Sequence, residues 1–231
     1  MLHEYAVEPG LLSNWTDFRF LVGQFGIEHG RLISRFPKKW KRLVYESLGR
    51  CPPVEKARIE EGLRRIDRRL LVRTHEWNPL LTWLPNAEQE HGKRPFRAIV
   101  AASNPNSHPA VLVGADVDDT IDYSGLTAPD PRLLWKAQRS RIVQRDAASM
   151  AQAVDLLLQQ CGRVLFVDKH FGPENARHRL PLESFLLAIA RRNTAAASVT
   201  VEVHTGDKST SAFFQAECMR QLPAIVPTGM T

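Results

Sequence analysis

Apolar residues recur at helical spacing through much of the first hundred positions. Ile59, Leu63, Ile66 and Leu70 follow at intervals of four, three and four. That spacing predicts one apolar face on a helix opened by Pro52 and Pro53. Upstream, SNWTDFRFLVGQFG (13–26) sets Trp15, Phe18 and Leu21 or Phe25 on one side, with Ser13 as the expected cap and Gly26 as the stop. RLISRF (31–36) reads as a short extended piece. PKKWKRLVYESLG (37–49) reads as a helix with Pro37 in its first turn. LLVRT (70–74) is a candidate strand, WNPLLTWLPNAEQEHGKRP (77–95) a helix between turns, and FRAIVAAS (96–103) a strand. Pro, Gly, Asn and Asp crowd residues 104–131, which predicts a loop-rich connection.

The last third alternates more plainly. SRIVQRDAASMAQAVDLLLQQCG (140–162) predicts one long helix stopped by Gly162. RVLFVDKHF (163–171) predicts a strand, LPLESFLLAIARRN (180–193) a helix, SVTVEVHTG (198–206) a strand and STSAFFQAECMRQL (209–222) a Ser/Thr-capped helix. Strands joined through helices imply parallel pairing. The expected class is α/β: a mainly helical basic region with one or more short strands (1–103), the loop-rich connection (104–131), and a partly parallel sheet with flanking helices (132–231). PAIVPTGMT (223–231) has the look of a turn before a further strand, so truncation at Thr231 is part of this reading.

Charge changes the picture in one place. Residues 31–73 hold fourteen Lys/Arg against five Asp/Glu, a local balance of +9; with a total of +6 the rest of the chain carries −3. A basic segment on a mildly acidic body suits contact with a polyanion. The residues expected to meet phosphate there are Arg31, Arg35, Lys38, Lys39, Lys41, Arg42, Arg64, Arg65, Arg68 and Arg69, with Trp40 and Tyr45 as candidate stacking partners for bases. The competing reading is a solvated surface, since Glu60 with Arg64 and Glu61 with Arg65 have the spacing of helical ion pairs. Cys51, Cys161 and Cys218 form no CxxC pair, and neither a zinc site nor a disulfide framework is expected. The chain shows no signal peptide and no membrane-spanning run, which reads as cytoplasmic with no membrane partner.

Ligands of open α/β sheets bind beyond the carboxyl ends of the strands. Two strands here end in chemically able residues: Asp168, Lys169 and His170 after the first, His204, Thr205, Asp207 and Lys208 after the second. The loop after the first adds Arg177, His178 and Arg179. Asp168, His170 and His204 are the candidate catalytic residues, with Lys169 and Lys208 as phosphate-binding cations; a histidine there could serve as nucleophile or general acid. The competing reading is that strands simply end at the surface in polar residues. Asp116, Asp118, Asp119 and Asp122 lack the spacing of an EF-hand and read as a solvated acidic loop; no metal and no cofactor is expected. His75 and Glu76, after LLVRT, are minor site candidates.

VLFVDKHF (164–171), LESFLLAIA (182–190) and VTVEVHTG (199–206) resemble the phospholipase D-like superfamily, in its prokaryotic members found in gene clusters for defence or mobile elements. The resemblance covers roughly residues 145–231 and implies a phospholipase D-like half-domain. The family's His-x-Lys signature with a trailing Asp is missing. His91-Gly92-Lys93 is its one formal match, and Ala98 stands five residues beyond Lys93. No catalytic role therefore carries over; Asp168 and His170 match only positions flanking the family's site. The first expectation is a nucleic-acid-associated component of a prokaryotic system, binding DNA or RNA through the basic segment and without completed catalysis in this chain. The second is a phosphodiesterase or nuclease completed by missing residues or a second subunit. The third is a protein–protein adaptor. A partner protein from the same gene cluster, or a homodimer, fits these readings.

Overall fold

Tyr5, Ile33 and Leu70 lie side by side in three neighbouring strands, and their buried side chains belong to the larger core. The structure is a computed structural model that describes residues 1–127, 130–138, 140–191, 199–206 and 211–227. Apart from Met1, it divides into a first unit, Leu2–Arg139, and a second, Ser140–Thr231.

The first unit is built on β1 (His3–Val7), β2 (Arg31–Ser34), β3 (Leu70–Leu71), β4 (Ala98–Ala101) and β5 (Val111–Val113). All pairings are parallel, in the order β3-β2-β1-β4-β5. Side chains alternate across the sheet, as the pleat demands. Tyr5, Val7, Ile33, Leu70, Val100 and Leu112 share one core with α1 (Trp15–Gly23), α2 (Trp40–Ser47) and α3 (Pro53–Arg65). Ala6, Ile99, Ala101 and Val111 join Phe36, Phe96 and Ala87 of α4 (Trp83–Lys93) in a second.

Local chemistry places the helices. Asn14, rather than Ser13, caps α1: its Oδ1 accepts from the Asp17 amide at 2.9 Å. The expected stripe on and just after α3 is buried throughout, with Ile59, Leu63, Ile66 and Leu70 each at most 7% exposed. Gly62 on that helix meets the Phe18 ring; a Cβ there would fall 2.5 Å from it. A glycine is what lets α1 and α3 approach so closely.

The α/β class holds, yet the larger parallel sheet lies in the region expected to be mainly helical. RLISRF, LLVRT and FRAIVAAS contain β2, β3 and β4 as expected, whereas β1 and β5, of five and three residues, fall where no strand is expected. Residues 104–131 correct the expected connection: they belong to the first unit, where Val111 and Leu112 are core strand residues.

The second unit contains α5 (Ala147–Ala153), α6 (Asp155–Gln160), β6 (Arg163–Val167), α7 (Ala176–Ala190), β7 (Thr200–His204) and α8 (Ala212–Gln221). The long helix expected over 140–162 starts only at Ala147, where Asp146 accepts from the Ser149 amide, and it breaks at Val154 (φ −113°, ψ 9°). β6 and β7 pair in parallel from Arg163 opposite Thr200 to Val167 opposite His204. Val164, Phe166, Val201 and Val203 pack onto a core of Leu158, Phe171, Leu182, Leu186 and Ile189. The alternate residues face away, leaving Leu165 47% and Val167 75% exposed. Ser211 caps α8, as the serine-rich approach predicted. No described helix is long and apolar enough to cross a membrane.

Candidate functional site

The two strand ends of the second unit meet as parallel pairing requires. The Asp168 amide donates to the His204 carbonyl at 3.0 Å, one step beyond the ladder. The loops that follow touch: Thr205 Oγ1 donates to the Phe171 carbonyl at 3.3 Å, and a Cβ on Gly206 would lie 2.9 Å from the Lys169 carbonyl oxygen. Asp168, Lys169, His170 and His204 are all exposed.

Their side chains, however, have different occupations. Asp168 Oδ1 accepts the His170 amide at 2.9 Å, so this carboxylate shapes its own turn. His204 Nε2 lies 3.3 Å from Glu202 Oε2 on the open face of the sheet. Glu202 in turn accepts two bonds of 2.8 Å from Arg163. The Arg163 bond first, and His204 second, hold the Glu202 carboxyl below its ordinary range. The carboxylate that orients His204 is therefore Glu202, two residues before it in the same strand, and not Asp168. Arg179 bonds the carbonyls of Pro173 and Glu174, and the Gly172 amide donates to His178 Nδ1, so both residues brace their own loop. Asp207 and Lys208 lie outside the described residues.

In the first unit the basic residues separate into two groups. Arg31 is corrected outright. Its side chain is 6% exposed, and NH1 and NH2 bond the two Asp119 oxygens at 3.1 and 2.6 Å. Nε donates to the Trp135 carbonyl, and the guanidinium lies 4.1 Å over the Trp135 ring. A cation consumed in this way cannot reach a phosphate. Trp40 is fully buried, donating from Nε1 to the Val7 carbonyl at 2.7 Å, and cannot stack on a base.

The remaining cations stay near the surface. Lys38, Lys39 and Arg68 are exposed and have no ion pair among the described residues. Lys41 pairs with Asp67 and Arg42 with Glu46, while Arg64 and Arg65 share Glu61. Arg35 donates to the Lys38 carbonyl and Arg69 to the Val22 carbonyl, and both are half-buried. Tyr45 is 48% exposed, with Lys56 Nζ 4.8 Å from its ring. Trp15 is half-buried, with Arg58 5.9 Å over it.

A polar cluster of which the sequence indicates only His75 lies between the sheet and α4. Ser34 Oγ is 2.9 Å from His75 Nε2, and His75 Nδ1 is 2.9 Å from Glu90 Oε1. A carboxylate can only accept, so Nδ1 carries a proton and donates to Glu90. Glu4 Oε1 stands 3.5 Å from Nε2 without a hydrogen bond, and its other oxygen pairs with Arg73 at 3.2 Å. Phe36 and Phe96 enclose the imidazole, with ring centroids at 5.4 and 5.5 Å. The order Ser, His, Glu matches a hydrolase triad, but Ser34 is 0% exposed and Glu4 would oppose an oxyanion beside it. The cluster is a closed buried network. Its one sequence signal was His75 behind a short apolar run; Ser34 and Glu90 gave none.

The acidic stretch also has structural work. Asp116 accepts the Val113 amide, and Asp119 holds Arg31. Asp118 and Asp122 each accept the amide and hydroxyl two residues on, bonds that keep both carboxyls below their ordinary range. Among proteins already known, no family model, no curated protein and no solved structure matches the chain.

Proposed function

We propose that the first unit binds a nucleic-acid phosphate backbone through its α2–α3 surface. One observation carries this reading. The Ile59/Leu63/Ile66 stripe is buried, so α3 is fixed with Arg58, Arg64 and Arg65 directed to solvent, and Lys38, Lys39 and Arg68 add exposed cations before α2 and after α3. The neighbouring acids leave an excess, because Arg64 and Arg65 share a single glutamate. Backbone contacts supply most of the affinity of such proteins and make it salt-dependent.

The test is equilibrium binding to DNA and RNA across a salt series. Affinity is expected to fall steeply with salt. Changing Lys38, Lys39 and Lys41 together to Glu should lower the log–log slope by about 2–3, since each lost phosphate contact contributes about 0.9. An absence of binding to either nucleic acid at low salt would refute the reading.

A further inference from the structure

Two hollows adjoin on the α1–α3 surface. One, of about 770 Å³, is lined by Trp15, Val54, Ala57 and Arg58; the other, of about 440 Å³, by Phe18, Ile27, Arg68 and Arg69. They share Gly62 and Arg65. Trp15, half-buried, stacks on the buried Phe18 ring at 6.1 Å with their planes 20° apart, so Trp15 is the aromatic that this surface presents. At Gly62, between them, the Phe18 ring fills the space a side chain would take. Val54 is 66% and Ile27 52% exposed, so apolar surface stands open beside the arginines. Both volumes lie within the roughly 300–1,000 Å³ of small-ligand sites.

We infer that this trough seats an unpaired base on Trp15 with its flanking phosphates on the arginines, so that the partner is a single strand. The inference rests on the backbone-binding reading above and specifies the form of nucleic acid. A duplex hides its base faces and offers only phosphates and groove edges. It gains nothing from an open apolar wall. An unpaired strand offers a flat base face beside its phosphates, matching the partly open Trp15 set beside Arg58 and Arg65. Opposing charge is limited to Glu61 and Glu28, against four arginines in the two hollows.

Fluorescence anisotropy on the full chain, with a labelled oligonucleotide of about 20 nucleotides and with the duplex of the same sequence, tests the inference. The single strand is expected to bind at least about tenfold more tightly than the duplex. Trp15→Ala should remove about tenfold of the single-strand affinity and leave the duplex unchanged. Val54→Asp, at a position too exposed to disturb folding, should do the same through charge. Equal affinity for the two forms, or single-strand affinity unmoved by both substitutions, would overturn the trough while leaving backbone binding intact. Failure of both forms to bind at low salt would remove both proposals together.

Discussion

Asp119→Ala is expected to destabilise the first unit by about 3 kcal/mol, although Asp119 sits in a surface loop. The loss comes from what it leaves behind: the Arg31 guanidinium, 6% exposed, without its counter-charge. Breaking a buried pair from one side typically costs about 3–5 kcal/mol. The lower end applies because Asp119 is itself 40% exposed and water already screens the pair. Arg31 would keep the Trp135 and Gln24 carbonyls, at 3.1 and 3.3 Å, and the Trp135 ring. Tyr5 secures the Pro131–Leu134 turn independently, donating its hydroxyl to the Leu134 carbonyl at 2.9 Å. Burial pushes that hydroxyl's pKa up to about 12, so it stays a donor. Adding Arg31→Met to Asp119→Ala should recover most of the loss by removing the stranded charge. All five tryptophans, at 15, 40, 77, 83 and 135, lie in the first unit, so urea denaturation followed by tryptophan fluorescence reports this unit alone. A single-variant loss below about 0.5 kcal/mol, the size of an ordinary surface substitution, would show that the pair does not hold the loop.

That Arg31 was read as a phosphate ligand shows how far charge alone can be followed. A run of cations fixes a local balance but cannot say which of them a distant loop will consume. The acid that takes Arg31 is 88 residues away. Where apolar spacing was long, as in the stripe from Ile59 to Leu70, sequence located the buried face, although α3 ends at Arg65 and Leu70 already belongs to β3. The parallel pairing of the strands ending at Val167 and His204 was legible for the same reason, since each runs five residues into polar ones. The first sheet was legible only in part: β2, β3 and β4 lie within the expected extended pieces, while β5 has three residues inside a loop-rich stretch and β1 includes the buried Glu4. Helix starts followed local hydrogen bonding that composition only narrows. Asn14 took the cap expected of Ser13, and Asp146 cut short a helix expected to begin at Ser140. At the second unit's rim, sequence placed the residues at adjacent strand ends. It could not reveal that the Asp168 carboxylate closes its own turn or that His204 pairs with Glu202.

His75→Ala should have a larger effect, about 3–5 kcal/mol from the first unit. The imidazole stands between Glu4 and Glu90, each 5% exposed, and its own side chain is 2% exposed. Without it, Glu90 keeps only the Glu76 amide at 3.4 Å, Ser34 loses its 2.9 Å partner, and Glu4 keeps only the Arg73 pair among its ion pairs here. A buried polar group deprived of its partner costs its full desolvation, and Phe36 and Phe96 lose the ring between them. Cavity and charge make separable contributions. Glu90→Gln in the His75→Ala background removes one stranded charge and leaves the cavity, so it should restore about 1–2 kcal/mol; in the native background the same change should destabilise. That reversal of sign identifies the charge network as the source of the loss. If Glu90→Gln has the same effect in both backgrounds, the two side chains are not coupled and the network reading fails. A serine-directed phosphonate supplies the complementary check. Ser34, with no exposed surface, should remain unmodified in the folded protein; covalent labelling at Ser34 would mean that the cluster opens to solvent and that its triad-like order serves chemistry after all.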